Sequence, residues 1–241
     1  MKEYFYTDLD SYFGGKAAPG TLRTVINQIP PHRRRVSGFL GNCAVMRYLR
    51  PAAGKMQGYE IDAKVVAAWS KNTKIPGTSL EVINADFLEV MWDLEVDAQE
   101  VFIFLDPPYL WRTRTRRRYA FDLSDAEHRR LLTWCQSLTR AKVMLCGYPN
   151  VLYDELLPEW RTVEFEAITR GATMRTEKLW MNYKEPVALH DSRFIGADFR
   201  EREKLKRRRE TIYRKIERMD DDERIALFDR LKERFPGLFN Q

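Results

Sequence analysis

Cysteine and histidine are scarce in this chain, with three of each in 241 residues. Cys43, Cys135 and Cys146 stand in unrelated contexts, without a CxxC pair or a Cys/His spacing. That excludes a disulfide framework and points to a reducing, cytoplasmic setting. His32, His128 and His190 are equally scattered, none beside a second ligand type at metal spacing, so no metal site is expected. His128 falls in the opening turns of an amphipathic helix that Ser124 would cap, where a surface or helix-face role is expected rather than catalysis. No apolar stretch reaches membrane-spanning length and the first residues lack an apolar signal core, so no membrane partner is expected. There is no internal repeat.

What the chain does have is positive charge in clusters. Net charge is +6 and the isoelectric point about 9.2, a modest excess that favours a polyanionic partner. His32-Arg33-Arg34-Arg35 reads as a solvated surface run. Arg112, Arg114, Arg116, Arg117 and Arg118 are different, because no acid is interleaved among them. Such a run repels itself unless phosphates neutralise it, so a loop facing nucleic acid is expected. A third cluster, residues 200–218, holds ten basic and four acidic side chains. At 44% hydrophobic content the chain can bury one sizeable α/β core and little more.

Apolar runs alternate with helical patterns. Strands are expected near 36–39, 56–61, 80–84, 101–105 and 142–146, with helices near 19–28, 43–49, 63–70, 125–139 and 150–156. Two further strands at about 162–168 and 177–183 are joined by a loop carrying Arg170 and Arg175. The pattern predicts an α/β fold, a Rossmann-like, mainly parallel twisted sheet closed by an antiparallel terminal hairpin. Beyond it, residues 199–241 read as a basic two-helix appendage, stopped by Phe235-Pro236-Gly237, that would fold against the core, pair two subunits into a dimer or lie along nucleic acid. Residues 1–190 form the expected main domain.

The run Val101-Phe102-Ile103-Phe104-Leu105 is followed by Asp106-Pro107-Pro108-Tyr109. Neither proline can donate to a ladder, so the strand ends there, and open α/β sheets place ligands at the carboxyl ends of their strands. A carboxylate, a stiffened carbonyl and an aromatic ring are thus presented together. They suit attack by an exocyclic aromatic amine. Acceptors on its two N–H bonds, Asp106 and the Pro107 carbonyl, would localise the lone pair, while Tyr109 stacks on the base. Read blandly, the tetrapeptide is a proline turn after a buried strand.

Earlier strand ends carry a second set. Gly41 lets the backbone come close to a ligand. Glu60, about twenty residues on, can accept both hydroxyls of a ribose, and Asp86 ends the third strand. The bland alternative is that Glu60 and Asp86 cap the helices that follow.

Taken together, these pieces resemble the Dam-like class of S-adenosylmethionine-dependent adenine-N6 DNA methyltransferases, most closely its compact phage-type members, over about residues 12–183. Tyr12-Phe13-Gly14-Gly15-Lys16 is similar to the amino-terminal motif that touches the methionine part of the cofactor. Phe39-Leu40-Gly41-Asn42-Cys43 is similar to the glycine loop. Glu60 takes the place of the ribose acid, Asp86 that of the acid reading the cofactor's adenine, and Asp106-Pro107-Pro108-Tyr109 that of the catalytic motif. Residues 142–148 and 177–183 look like later strands of the same enzymes. The resemblance implies S-adenosyl-L-methionine as cofactor and DNA as partner, with Arg112, Arg114, Arg116, Arg117, Arg118, Arg170 and Arg175 toward the nucleic acid. A target adenine would be flipped out of the stack.

Three departures matter. Ser37-Gly38 stands where Glu-Pro is usual, Cys43 replaces the second loop glycine, and no recognition domain is inserted between Glu60 and Asp86. A relaxed or very short target is therefore expected. An RNA adenine methyltransferase and a catalytically idle basic nucleic-acid-binding protein both remain open at this point.

Overall fold

The structure is a computed structural model describing residues 4–5, 16–69, 79–113, 121–168, 174–196 and 199–239. Its centre is one seven-stranded sheet. In chain order the strands are β1 (Arg34–Gly38), β2 (Met56–Glu60), β3 (Glu81–Asn84), β4 (Val101–Leu105), β5 (Lys142–Gly147), β6 (Arg161–Ile168) and β7 (Met174–Met181). They lie in the spatial order β3-β2-β1-β4-β5-β7-β6. The first five are mutually parallel, and β7 runs antiparallel to both β5 and β6. The expected α/β class, parallel sheet and closing hairpin are all present. Strand order reverses between β1 and β4, so their carboxyl ends flank the crevice where such sheets bind ligands.

The central strand β4 is buried on both faces. All five of its residues are inaccessible. Val101, Ile103 and Leu105 join a core cluster with Val36, Val143, Leu145 and Trp180. Alternation sends Phe102 to the other face, where it stacks on His32 at 5.0 Å.

The helices of this layer are α1 (Pro19–Ile26), α2 (Ala44–Tyr48), α3 (Ala63–Trp69), α4 (Phe87–Val90), α5 (Asp125–Ser137) and α6 (Val151–Leu156). Short polar side chains start several of them. Ser124 and Glu127 close a capping box on α5, and Asn150 caps α6. No helix among the described residues is long and apolar enough to cross a membrane.

Two basic features differ from expectation. Arg35 is not on a solvated face: it is fully buried in β1, donating Nε to His32 Nε2 at 3.1 Å and Nη2 to the Arg50 carbonyl at 2.6 Å. β1 starts two residues earlier than its apolar pattern suggests because Arg34 and Arg35 pair in register with Val101 and Phe102. His128 lies on the inner face of α5, fully buried, with Nδ1 2.9 Å from the Tyr153 hydroxyl. Only Arg33 of that basic run is exposed.

The chain forms two compact units, one of residues 1–25 and 32–185, the other of residues 26–31 and 186–241. In the second, Asn27 Nδ2 donates to the Phe194 carbonyl at 3.0 Å and the His190 N–H to the Ile29 carbonyl at 2.9 Å. It carries α7 (Phe199–Glu217) and α8 (Asp221–Arg234), the latter capped by Asp220.

Candidate active site

Asp106 leaves the end of β4, and its carboxylate meets a buried lysine. Lys16 Nζ lies 3.0 Å from Asp106 Oδ2 and 3.2 Å from Oδ1. The same ammonium donates to the Tyr109 hydroxyl at 2.5 Å and sits 3.4 Å from Glu177 Oε2. It is also 5.1 Å from the centroid of the Tyr109 ring. Cys146, at the end of β5, adds its thiol 3.7 Å from Glu177 and 3.9 Å from the Tyr109 hydroxyl. Residues from the amino-terminal segment, β4, β5 and β7 therefore converge on one ammonium.

Burial decides the electrostatics. The Lys16 side chain is 4% exposed, Glu177 10% and Asp106 21%. Burial pushes the Asp106 carboxyl above the usual range, and the Lys16 charge and its hydrogen bond pull against that rise. Burial raises Glu177 as well, opposed by Lys16 and reinforced by the Asp106 charge. The Cys146 thiol is driven well above its ordinary value, chiefly by burial, and stays neutral. Two carboxylates against one ammonium leave a net negative charge when all are ionised.

The second group lies at the ends of β1, β2 and β3. Phe39 and Gly41 both take positive φ, 54° and 45°, so the loop after β1 turns twice through the left-handed region. Gly38 is fixed by packing: a Cβ there would lie 2.7 Å from Phe87 Cδ1 and 2.8 Å from Leu105 Cδ2. That explains glycine at one of the departures in the loop. Cys43 explains another, since its sulfur caps α2 by accepting from the Met46 N–H at 3.4 Å.

Glu60 accepts from the Gly41 N–H at 2.7 Å and from the Asp62 N–H at 3.0 Å. Burial raises its carboxyl and those backbone donors oppose the rise. Asp86 accepts from the Leu88 N–H at 2.9 Å and caps α4. Asp86 thus does the capping that the bland reading assigns it, whereas Glu60 ties the Gly41 loop to the end of β2 and Asp62 accepts from the Lys64 N–H in the first turn of α3. The Glu60 and Asp86 carboxylates still have lone pairs to spare, about four sites each against one or two donors. Phe39 packs edge-on to Phe87 at 5.5 Å, which ties the glycine loop to the Asp86 helix.

Lys16, Asp106 and Tyr109 are brought together, as are Gly41 and Glu60. Lys16 directs its ammonium at the Asp106-Tyr109 pair rather than at the glycine loop. Pro107 is buried and Pro108 half-buried. Tyr109 is only 5% exposed, packed edge-on to Tyr148 at 4.5 Å. Arg175 lies over the Tyr148 ring at 5.6 Å, next to this cluster. Arg112 is exposed and forms an ion pair with Asp125, so the arginine run does have an acid beside it in space. Tyr12, Arg114, Arg116, Arg117, Arg118 and Arg170 lie outside the described residues.

Glu177, Cys146 and Tyr148 were not singled out from the sequence. The available signal was Glu177, an acid inside a strand that turns apolar from Leu179 onward. Among the described residues no group of three or more His, Cys, Asp or Glu side chains is arranged so that it could hold a metal ion.

No protein-family model matches the chain, and no curated protein matches its sequence. Solved structures do resemble it at low identity. A 23S rRNA methyltransferase, ErmE, aligns over 74% of this chain and 72% of its own, with 13% identity and a TM-score of 0.44. An S-adenosylmethionine-dependent methyltransferase from Agrobacterium tumefaciens aligns over 66% and 59%, with 12% identity and a TM-score of 0.44. A tRNA (uracil-54, C5)-methyltransferase of Pyrococcus abyssi, in complex with S-adenosyl-L-homocysteine, aligns over 66% and 35%, again at 12% and 0.44. Likenesses this distant identify neither substrate nor cofactor, and both are inferred below from the chain's own residues.

Proposed function

We propose that this chain transfers a methyl group from S-adenosyl-L-methionine to the N6 amino group of an adenine in DNA, with residues 1–190 as the methyltransferase domain. The observation that carries the reading is the buried Lys16-Asp106-Tyr109 cluster at the point where strand order reverses.

The residues suit that cofactor on two counts. Its sulfonium is cationic, and the Lys16 cluster, with two carboxylates against one ammonium, would offset such a charge. The left-handed backbone at Gly41, with Glu60 and Asp86 at the next strand ends, supplies a close-approach loop and two acceptors for ribose and base. When bound, the cofactor supplies an activated methyl group.

The protein's part is to position and polarise. Lys16 holds Asp106 and the Tyr109 hydroxyl in one geometry. The remaining Asp106 lone pairs and the Pro107 carbonyl accept the two N–H bonds of the incoming amine. That makes its nitrogen more tetrahedral and frees its lone pair. After transfer the nitrogen sheds a proton, and Asp106, whose carboxyl is held above the usual range, is the adjacent acceptor. Tyr109 receives a base on its ring only once it is uncovered, and both Tyr148 and the Lys16 ammonium lie against that ring. Arg112, Arg175 and the arginines at 114–118 and 170 are the proposed backbone contacts.

DNA is preferred to RNA on the resemblance of the motif set, and the target is short because only α3 and the residues around it separate β2 from β3. Sequencing methylated adenines on random-sequence DNA, with an RNA pool alongside, tests both statements. Methylation of DNA with at most one fixed neighbouring base is expected. A strict motif of four or more base pairs (each good base contact adds about 1–3 kcal/mol) would contradict the relaxed target. Methylation of the RNA pool alone would contradict the substrate.

A further inference from the structure

Helix α7 carries charge that the proposed site does not use. On a helical wheel at about 100° per residue, Arg200, Lys204, Arg207, Arg208, Arg214 and Lys215 fall within an arc of about 120°. The four acids of the helix, Glu201, Glu203, Glu210 and Glu217, all project outside that arc. Each of the six cations is exposed, and among the described residues none of them is in an ion pair. The opposite side is anchored within its own unit. Arg202 Nη1 reaches the Gly196 carbonyl at 3.3 Å, and Arg209 Nη1 reaches the Ser192 carbonyl at 2.9 Å. Two arginines thus hold the helix by its back and leave the acid-free face outward.

We propose that this face of α7 binds the phosphate backbone of duplex nucleic acid. From Arg200 to Lys215 it spans about 22 Å at 1.5 Å per residue. That is comparable to the rise of about six base pairs, a length over which phosphates recur every 3.4 Å on each strand. Four of the six cations are arginine, whose planar fork engages phosphate oxygens in pairs. A membrane surface fits less well. The apolar strip beside the basic face holds only Leu205, Ile212 and Ile216, without the broad Trp/Phe/Leu side that interfacial helices bury. The choice of duplex as the polyanion rests on the nucleic-acid reading of the active site, whereas the face itself does not.

The test is the salt dependence of duplex DNA binding by the full chain without cofactor. In Lys204→Gln/Arg208→Gln/Lys215→Gln the slope of log K against log salt should fall by about 2.7, at 0.9 per lost phosphate contact. Affinity at low salt should fall at least tenfold. The control Arg230→Gln/Lys232→Gln/Arg234→Gln removes the same charge from α8 and should leave the slope unchanged. An equal drop in both triples would mean net charge alone and would overturn the proposal. So would a wild-type slope in the α7 triple, or a triple whose only losses are binding to phosphatidylserine vesicles or self-association. Should the triple not fold, Arg208→Gln alone must lower the slope by about 0.9. Because methyl transfer is not the readout, an inactive site and a misjudged helix give different results: the first leaves the slopes as stated, the second leaves transfer intact.

Discussion

Replacing Lys16 by methionine keeps the bulk of the side chain and removes its charge, leaving Asp106 and Glu177 facing each other. All three side chains are at most 21% exposed, so solvent screens little of the effect. Removing one member of a buried ion pair costs about 3–5 kcal/mol, because the partner's desolvation is left uncompensated. The loss should depend on pH. Lys16 lowers both carboxyls against the burial that raises them, so its removal raises their folded-state values further. A carboxyl raised in the folded state binds more protons folded than unfolded. Its contribution is then complete below the unfolded value, about 3.9 for Asp and 4.3 for Glu, and is lost as pH climbs through the folded value. Urea unfolding of wild type and variant at pH 5 and pH 8 should therefore show a gap that widens toward pH 8. A gap below about 1 kcal/mol, or one equal at the two pH values, would refute the assignment of Lys16 as the charge that holds this cluster.

Three further outcomes are expected. Glu177→Gln removes a competitor for the Lys16 ammonium and a like charge beside Asp106, so the acid limb of the kcat–pH profile should move to lower pH; an unmoved limb would separate Glu177 from Asp106. Glu60→Ala should weaken S-adenosylmethionine binding by up to a few kcal/mol, read by calorimetry, through loss of charge-assisted hydrogen bonds; unchanged affinity with a lowered Tm would leave Glu60 as a cap on the Gly41 loop alone. Gly38→Ala should destabilise by about 1–3 kcal/mol, because the added methyl meets Phe87 and Leu105 at under 3 Å in a packed core.

β4 and β5 were legible as short apolar runs bounded by charged or turn residues, and β4 had no polar position to mislead. β1 and β7 carry charged residues at or next to their first position, so they start two and three residues earlier than expected. α4 was not among the expected helices, although Asp86 was open to capping a helix after the third strand, and that is what its side chain does. The burial of Arg35 was hidden for a different reason. Its guanidinium finds a ring nitrogen and a carbonyl rather than an acid, and those partners come from His32 and Arg50, which signal nothing at sequence level. The acids at the strand ends could be named but not aimed. That Glu60 binds Gly41, and that Lys16 turns to Asp106 across 90 positions, are consequences of tertiary placement alone.

The most direct measurement is transfer of labelled methyl groups from S-adenosylmethionine to duplex DNA, followed by nucleoside analysis, for wild type and Asp106→Asn at matched cofactor saturation. N6-methyladenine from the wild type, with loss of transfer but retained cofactor binding in Asp106→Asn, is the predicted result. Near-normal turnover in Asp106→Asn, or label on a base other than adenine, would contradict the assignment of the Asp106 cluster as an adenine-N6 methylation site.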